Sequence, residues 1–167
     1  MQLLVIRHAI AEEREPWSRS GRPDAERPLT DTGRRRMRRG ARGLRNLVPT
    51  LDALASSPLV RAAQTAEILA REFDDVSIET LTELSPEHPA EDLLPWMRGQ
   101  EPGAVAGVVG HEPHLGFLVG WLLTGRHESF VALKKGAVCM LGFDDPPAAG
   151  EAVLRWSLAP GQLRRLR

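Results

Sequence analysis

Four short apolar runs, each followed by a stretch with helical character, constrain this chain more than any other feature of its sequence. The first run is Leu-Leu-Val-Ile at 3–6, continuous and partly β-branched, as a strand buried on both faces requires. The others fall at 52–56, 76–81 and 104–109. Between them, Met37, Ala41, Leu44 and Val48 recur at helical spacing behind a capping Thr30 or Asp31, and Pro49 ends that helix. Ala62, Ala66, Leu69 and Phe73 form the stripe of a second helix, expected to start at Ser57-Pro58. A short helix fits 91–98, and Leu115, Leu118, Val119, Leu122 and Leu123 mark another over 113–124. Two alternating runs, 136–143 and 152–158, flank Asp144-Asp145-Pro146-Pro147 and read as an antiparallel hairpin. Strands alternating with helices predict an α/β fold, a three-layer α/β/α sandwich whose mostly parallel sheet carries an antiparallel edge.

At 167 residues the chain fits a single domain, 1–167, large enough to stand without disulfide or metal staples. The lone cysteine, Cys139, excludes an internal disulfide and a cysteine-built zinc or iron–sulfur centre. Twenty-two cations balance 22 carboxylates, which argues against a dedicated nucleic-acid binder. No run approaches the ~18 apolar residues of a membrane span, and MQLLVIRHAI reads as a strand, not a signal peptide. A reducing cytoplasm is the expected location. Residues 10–29 are polar and without period, with Pro16, Gly21, Pro23 and Pro28, and are expected to form one long loop. Residues 34–45 hold seven arginines and no acid; the ordinary reading of such a run is a solvated helix face.

Ligands of open parallel sheets bind beyond the carboxyl ends of the strands. Those ends carry Arg7-His8, Ser57-Pro58 with Arg61 in the next helical turn, Thr82-Glu83, and Gly110-His111 before another helix. Each residue alone has an ordinary explanation: a surface ion pair for Arg7 or Arg61, a turn contact for His111, a cap for Glu83. Together they have one chemical meaning. Guanidinium forks match phosphate oxygens, helix N-termini present free N–H groups, and imidazole can attack phosphorus. Other phosphate chemistries lack their residues. A cysteine phosphatase loop needs Arg six positions after its cysteine, where this chain has Asp145, and no GxxxxGK[ST] or G-x-G-x-x-G motif occurs. In His111-Glu112-Pro113-His114 the histidines stand three apart, not the four of a zincin.

Five segments carry a resemblance: LLVIRHAIAE at 3–12, RPLTDTGRRR at 27–36, LDALASSPLVRAAQTAEIL at 51–69, LTEL at 81–84 and VVGHEPHLG at 108–116. They resemble, in order and spacing, the histidine phosphatase superfamily, and more closely the short phosphohistidine phosphatases of the SixA type. The resemblance implies a phosphoglycerate mutase-like fold, here without a cap insertion. It implies that His8 is the nucleophile, that Arg7 and Arg61 bind the phosphoryl oxygens, that His111 completes the pocket beside Ser57, and that Glu83 stands where a proton donor would. No metal or cofactor is implied. The expected substrate is phosphohistidine on a signalling or phosphocarrier protein, met by a monomer. A small-molecule phosphomonoesterase and a non-catalytic phosphoprotein-binding module remain as alternatives. The third residue of the first motif is Ala9, where the superfamily usually has Gly, and Glu112 follows the second histidine.

Overall fold

In the computed structural model, which describes residues 1–144 and 146–166, the apolar run at the N-terminus is strand β1 (Gln2–Arg7). Leu4 and Ile6 face one layer of helices and Leu3 and Val5 the other, so all four side chains are fully buried. That double burial explains a continuous apolar strand where a half-exposed one would alternate. The chain continues through α1 (Arg14–Arg19), a 3-10 turn at Asp24–Glu26, α2 (Asp31–Leu47), β2 (Ala53–Ser56) and α3 (Val60–Glu72). Then come β3 (Ile78–Thr80), two further 3-10 turns, α4 (Leu94–Arg98), β4 (Val105–Gly110), α5 (His114–Thr124), β5 (Val138–Gly142), β6 (Val153–Leu158) and α6 (Pro160–Leu163).

The six strands lie in the order β3-β2-β4-β1-β5-β6. The first four are mutually parallel, and β5 and β6 run antiparallel at one side. Helices α2, α3 and α6 pack on one face, around Met37, Ala41, Leu44, Ala62, Ala66, Leu69 and Leu163. Helix α5 and the segment around Leu93 and Met97 cover the other. This is the three-layer α/β/α sandwich. Cys139, the second residue of β5, is fully buried in the second layer, and burial pushes its thiol up to about 11.

Several expectations need correction. Residues 10–29 are not one structureless loop: they contain α1 and the Asp24–Glu26 turn, and a bridge between Ala11 and Leu29 closes the excursion. Helix α3 starts at Val60 rather than at Pro58, because Ser57 and Pro58 complete the turn that carries the chain off β2. Beyond the last predicted strand, Pro160 opens α6, whose Leu163 is buried against α2. Gly43 makes that approach possible, since a Cβ there would lie 1.9 Å from the Leu163 carbonyl oxygen. Asp145, in the link between the last two strands, lies outside the described residues. Among the described residues no helix is long and apolar enough to cross a membrane.

Candidate active site

The strand order sets β2, β4 and β1 side by side, so their carboxyl ends deliver Ser57, His111 and His8 to one place. The rings of His8 and His111 stand 5.1 Å apart between centroids, tilted by 49°. Both are nearly covered, at 5% and 2% exposure, and Arg61 of α3 is equally buried at 5%.

The Nδ1–H of His8 donates to its neighbour's carbonyl, Ala9 O, at 2.7 Å. This fixes the tautomer and leaves Nε2 with a free lone pair. The loop is braced from three sides. Ala9 N donates to Thr65 Oγ1 at 3.0 Å, Thr65 donates to the Arg61 carbonyl at 2.7 Å, and Gly136 N reaches both the Arg7 and His8 carbonyls at 3.1 Å. At Gly33 of α2 a Cβ would sit 2.0 Å from the Ile10 carbonyl, so only glycine lets that helix start against the loop.

Burial is the main reason the His8 pKa falls to about 3; the charges of Arg61, Arg7 and Lys135 add to it, and the Ala9 hydrogen bond opposes it. His111 is held at about 2, first by burial and then by the charges of His8, Arg61 and His114. Its Nε2 lies 2.9 Å from Ser57 Oγ, which itself accepts from Leu59 N at 3.3 Å. Where the Ser57 hydroxyl donates to His111 Nε2, Nδ1 carries the proton and is the ring's free donor. Nδ1 is buried and has no partner.

Each arginine is pinned through its Nη atoms and keeps a buried Nε without a partner. Arg7 Nη1 donates to the Leu133 carbonyl at 2.6 Å. Leu133 N in turn donates to Glu112 at 2.7 Å, and Gly116 N donates to the other carboxylate oxygen at 3.3 Å. The negative charge after the second histidine is thus engaged in bracing Arg7. Arg61 donates through Nη1 to the Asp24 carbonyl at 2.9 Å and places Nη2 3.1 Å from the Asp24 carboxylate. Arg27, also buried, holds the same carboxylate at 2.9 Å. Burial alone would raise the Asp24 pKa, but the Arg27 hydrogen bond and the charges of Arg61, Arg27 and Arg14 keep it below its ordinary value.

Glu83 lies in the 3-10 turn Thr82–Leu84 after β3, which reaches back to the end of β4: a Cβ on Gly110 would meet the Leu84 carbonyl oxygen at 3.5 Å, so the turn stands next to the residue before His111. Glu83 is half-buried, and its carboxylate accepts a hydrogen bond from Thr82 at 3.3 Å. His114 opens α5, buried, with no partner for either ring nitrogen. Trp17 donates to the Pro23 carbonyl at 2.9 Å and carries Arg22 over its ring, so it stiffens the excursion after β1. Sequence reasoning missed Asp24, Arg27, Thr65 and Lys135. Only Thr65 left a signal: a polar residue inside the apolar stripe of Ala62, Ala66 and Leu69.

Residues 3–86 match the family model of the histidine phosphatase superfamily (branch 1). The chain is 33% identical over 140 residues to an uncharacterised protein of Picosynechococcus sp., covering 83% of this chain and 82% of that one. It is 26% identical to the phosphohistidine phosphatase SixA of Escherichia coli, covering 98% of this chain and 97% of that one. A solved structure of the protein histidine phosphatase SixA complexed with tungstate superposes with a TM-score of 0.80 at 26% identity, covering 98% and 99% of the two chains.

Proposed function

We propose that this chain, which belongs to the histidine phosphatase superfamily, removes the phosphoryl group from phosphohistidine displayed on another protein, by way of a covalent intermediate on His8. The observation that carries the reading is a neutral His8 whose tautomer is fixed by Ala9 with Nε2 free, its ring 5.1 Å from that of His111 and under the charges of Arg61 and Arg7, each of which keeps a buried Nε without a partner. It is a histidine-type phosphatase.

Two displacements complete the reaction. His8 Nε2 attacks phosphorus while the bond from phosphorus to the substrate imidazole breaks, and the electron pair leaves with that imidazole. Water then attacks phosphorus, Nε2 departs, and phosphate is released. Negative charge spreads over the equatorial oxygens in each step, where Arg7 Nε, Arg61 Nε and His111 Nδ1 would meet it. Removing one such donor typically costs on the order of 10²–10³ in rate.

Three points support phosphohistidine over an ordinary phosphoester. An imidazole leaves with little protonation, so the reaction does not depend on Glu83 as a proton donor, whereas an alkoxide needs a placed acid. Between Phe73 and Gly103 the chain builds only β3, two 3-10 turns and α4, consistent with one domain over 1–167 that lacks a cap to enclose a metabolite. The E. coli relative, of nearly the same length, is named a phosphohistidine phosphatase.

The test is to mix the enzyme with a protein carrying chemically formed phosphohistidine, quench in base and map the trapped label by mass spectrometry. Label on His8 alone is expected, with turnover lost and phosphoprotein binding kept in His8→Ala. Label on any other residue overturns the assignment. Faster turnover of a panel of small phosphomonoesters replaces the substrate class.

A further inference from the structure

The arginine run of α2 is not placed at random on the surface. A cleft of about 90 Å³ opens directly beside the nucleophile's loop, walled by Ala9 and Ile10 on one side and by Arg36, Met37 and Gly40 of α2 on the other. Lys135, Gly136, Pro160 and Arg164 close its remaining walls. Three cations line it and no carboxylate does. Lys135 belongs to both places: it walls the cleft, and its charge reaches His8.

From the cleft the positive charge continues along the helix. Arg39 lies one turn beyond Arg36, and Arg35 beside them; all three side chains belong to exposed residues. Among the described residues none of Arg35, Arg36, Arg39, Lys135 or Arg164 makes a salt bridge, whereas Arg42 and Arg45 of the same helix pair with Glu72 and Asp74. Unpaired like charges this close repel one another and cost stability unless something anionic covers them. In a chain of zero net charge, their concentration at one rim of the active site is a local field.

We propose that this cleft and the α2 ridge dock an acidic segment of the phosphoprotein substrate, one carboxylate side chain entering the cleft while the phosphoryl group enters the adjacent pocket. The inference rests on the phosphohistidine reading and adds the partner's charge and its place of contact. The cleft's volume favours this occupant. Small-molecule pockets usually span roughly 300–1,000 Å³, so this one holds a single acidic side chain and not a free metabolite. Complementary charge at such a rim steers encounter and fixes register more than it adds affinity.

The experiment uses three histidine peptides of equal length, flanked by Asp and Glu, by Ser and Gly, or by Lys, each phosphorylated with phosphoramidate. For each, kcat/KM is divided by that for free phosphohistidine. The wild type is expected to favour the acidic flank by roughly tenfold at low salt, with the preference shrinking at high salt. Arg36→Glu with Arg39→Glu is expected to reverse the preference, and Arg36→Lys with Arg39→Lys to restore most of it. Equal ratios for all three flanks, or a preference unmoved by the charge reversal, overturn the proposal.

A second measurement does not depend on turnover: fluorescence anisotropy of the unphosphorylated acidic peptide, expected to bind the wild type and not the reversed variant. Absence of binding overturns the docking surface. So does tighter binding of duplex DNA or phosphatidylserine vesicles than of the peptide, since the ridge would then serve another partner. Binding of the peptide without hydrolysis of any phosphohistidine overturns the catalytic reading alone and leaves the docking surface standing.

Discussion

His8 and His111 stay neutral in the folded chain because burial denies their charged forms water, holding them at about 3 and about 2. In the unfolded chain each titrates near 6.5. Below that value the unfolded state takes up protons that the native state refuses. Stability is therefore full above about pH 6.5 and falls as the solution is acidified towards about 3, by about 1.4 kcal/mol per pH unit for each histidine. Urea denaturation across that range should show the slope, and His8→Asn or His111→Asn should each flatten it. The same shift predicts that kcat/KM on an acid-stable aryl phosphate shows no loss near pH 6.5 from protonation of the nucleophile; an acid limb there would contradict it. Asp24 supplies a second prediction. Asp24→Asn removes the charge that orients Arg61 while keeping the shape, and should lower kcat/KM for phosphohistidine by up to about 10², with vanadate affinity falling in parallel. His8, Ser57 and His111 could be picked out of the sequence because each follows directly on a strand, Arg7 because it ends one, and Arg61 because it stands in the first turn of the helix after β2. Asp24 could not: it meets Arg61 across 37 positions, between two irregular segments, and no periodicity announces such a pair.

At the scale of elements, those long enough to carry an apolar period were legible, and the short helices α1 and α6 were not. The stripes of α2 and α3 match their buried residues. Helix α1 has no buried residue, so its six positions carry no apolar period to read. Strand β3 is exposed along its length and shorter than the run that suggested it. The close approach of α2 to the nucleophile's loop leads to a further prediction. Gly33→Ala forces a Cβ against the Ile10 carbonyl, so the helix or the loop must shift. A loss of about 1–3 kcal/mol in denaturation is expected, together with a fall in kcat. Thr65→Val should act similarly on activity, because it strips the buried Ala9 N–H of its acceptor and leaves a donor unsatisfied at a cost of about 1–3 kcal/mol. A fully active, fully stable Thr65→Val would show that the brace is dispensable.

For the whole molecule, sheet order does what no single element can. It sets the carboxyl ends of β2, β4 and β1 next to one another and puts β3 at the sheet's edge. The sequence implied a parallel sheet with an antiparallel hairpin, but not which strands adjoin, since adjacency is decided by crossovers that leave no local pattern. The position of Cys139 has a consequence for survival under oxidative stress. Phosphatases that attack with a thiolate are silenced when peroxide converts that sulfur to a sulfenic acid. Here the sole sulfhydryl lies sealed within β5, protonated at any physiological pH, and the proposed attack belongs to nitrogen. Hydrogen peroxide or iodoacetamide at doses that inactivate a cysteine-dependent phosphatase should leave turnover by this enzyme unchanged.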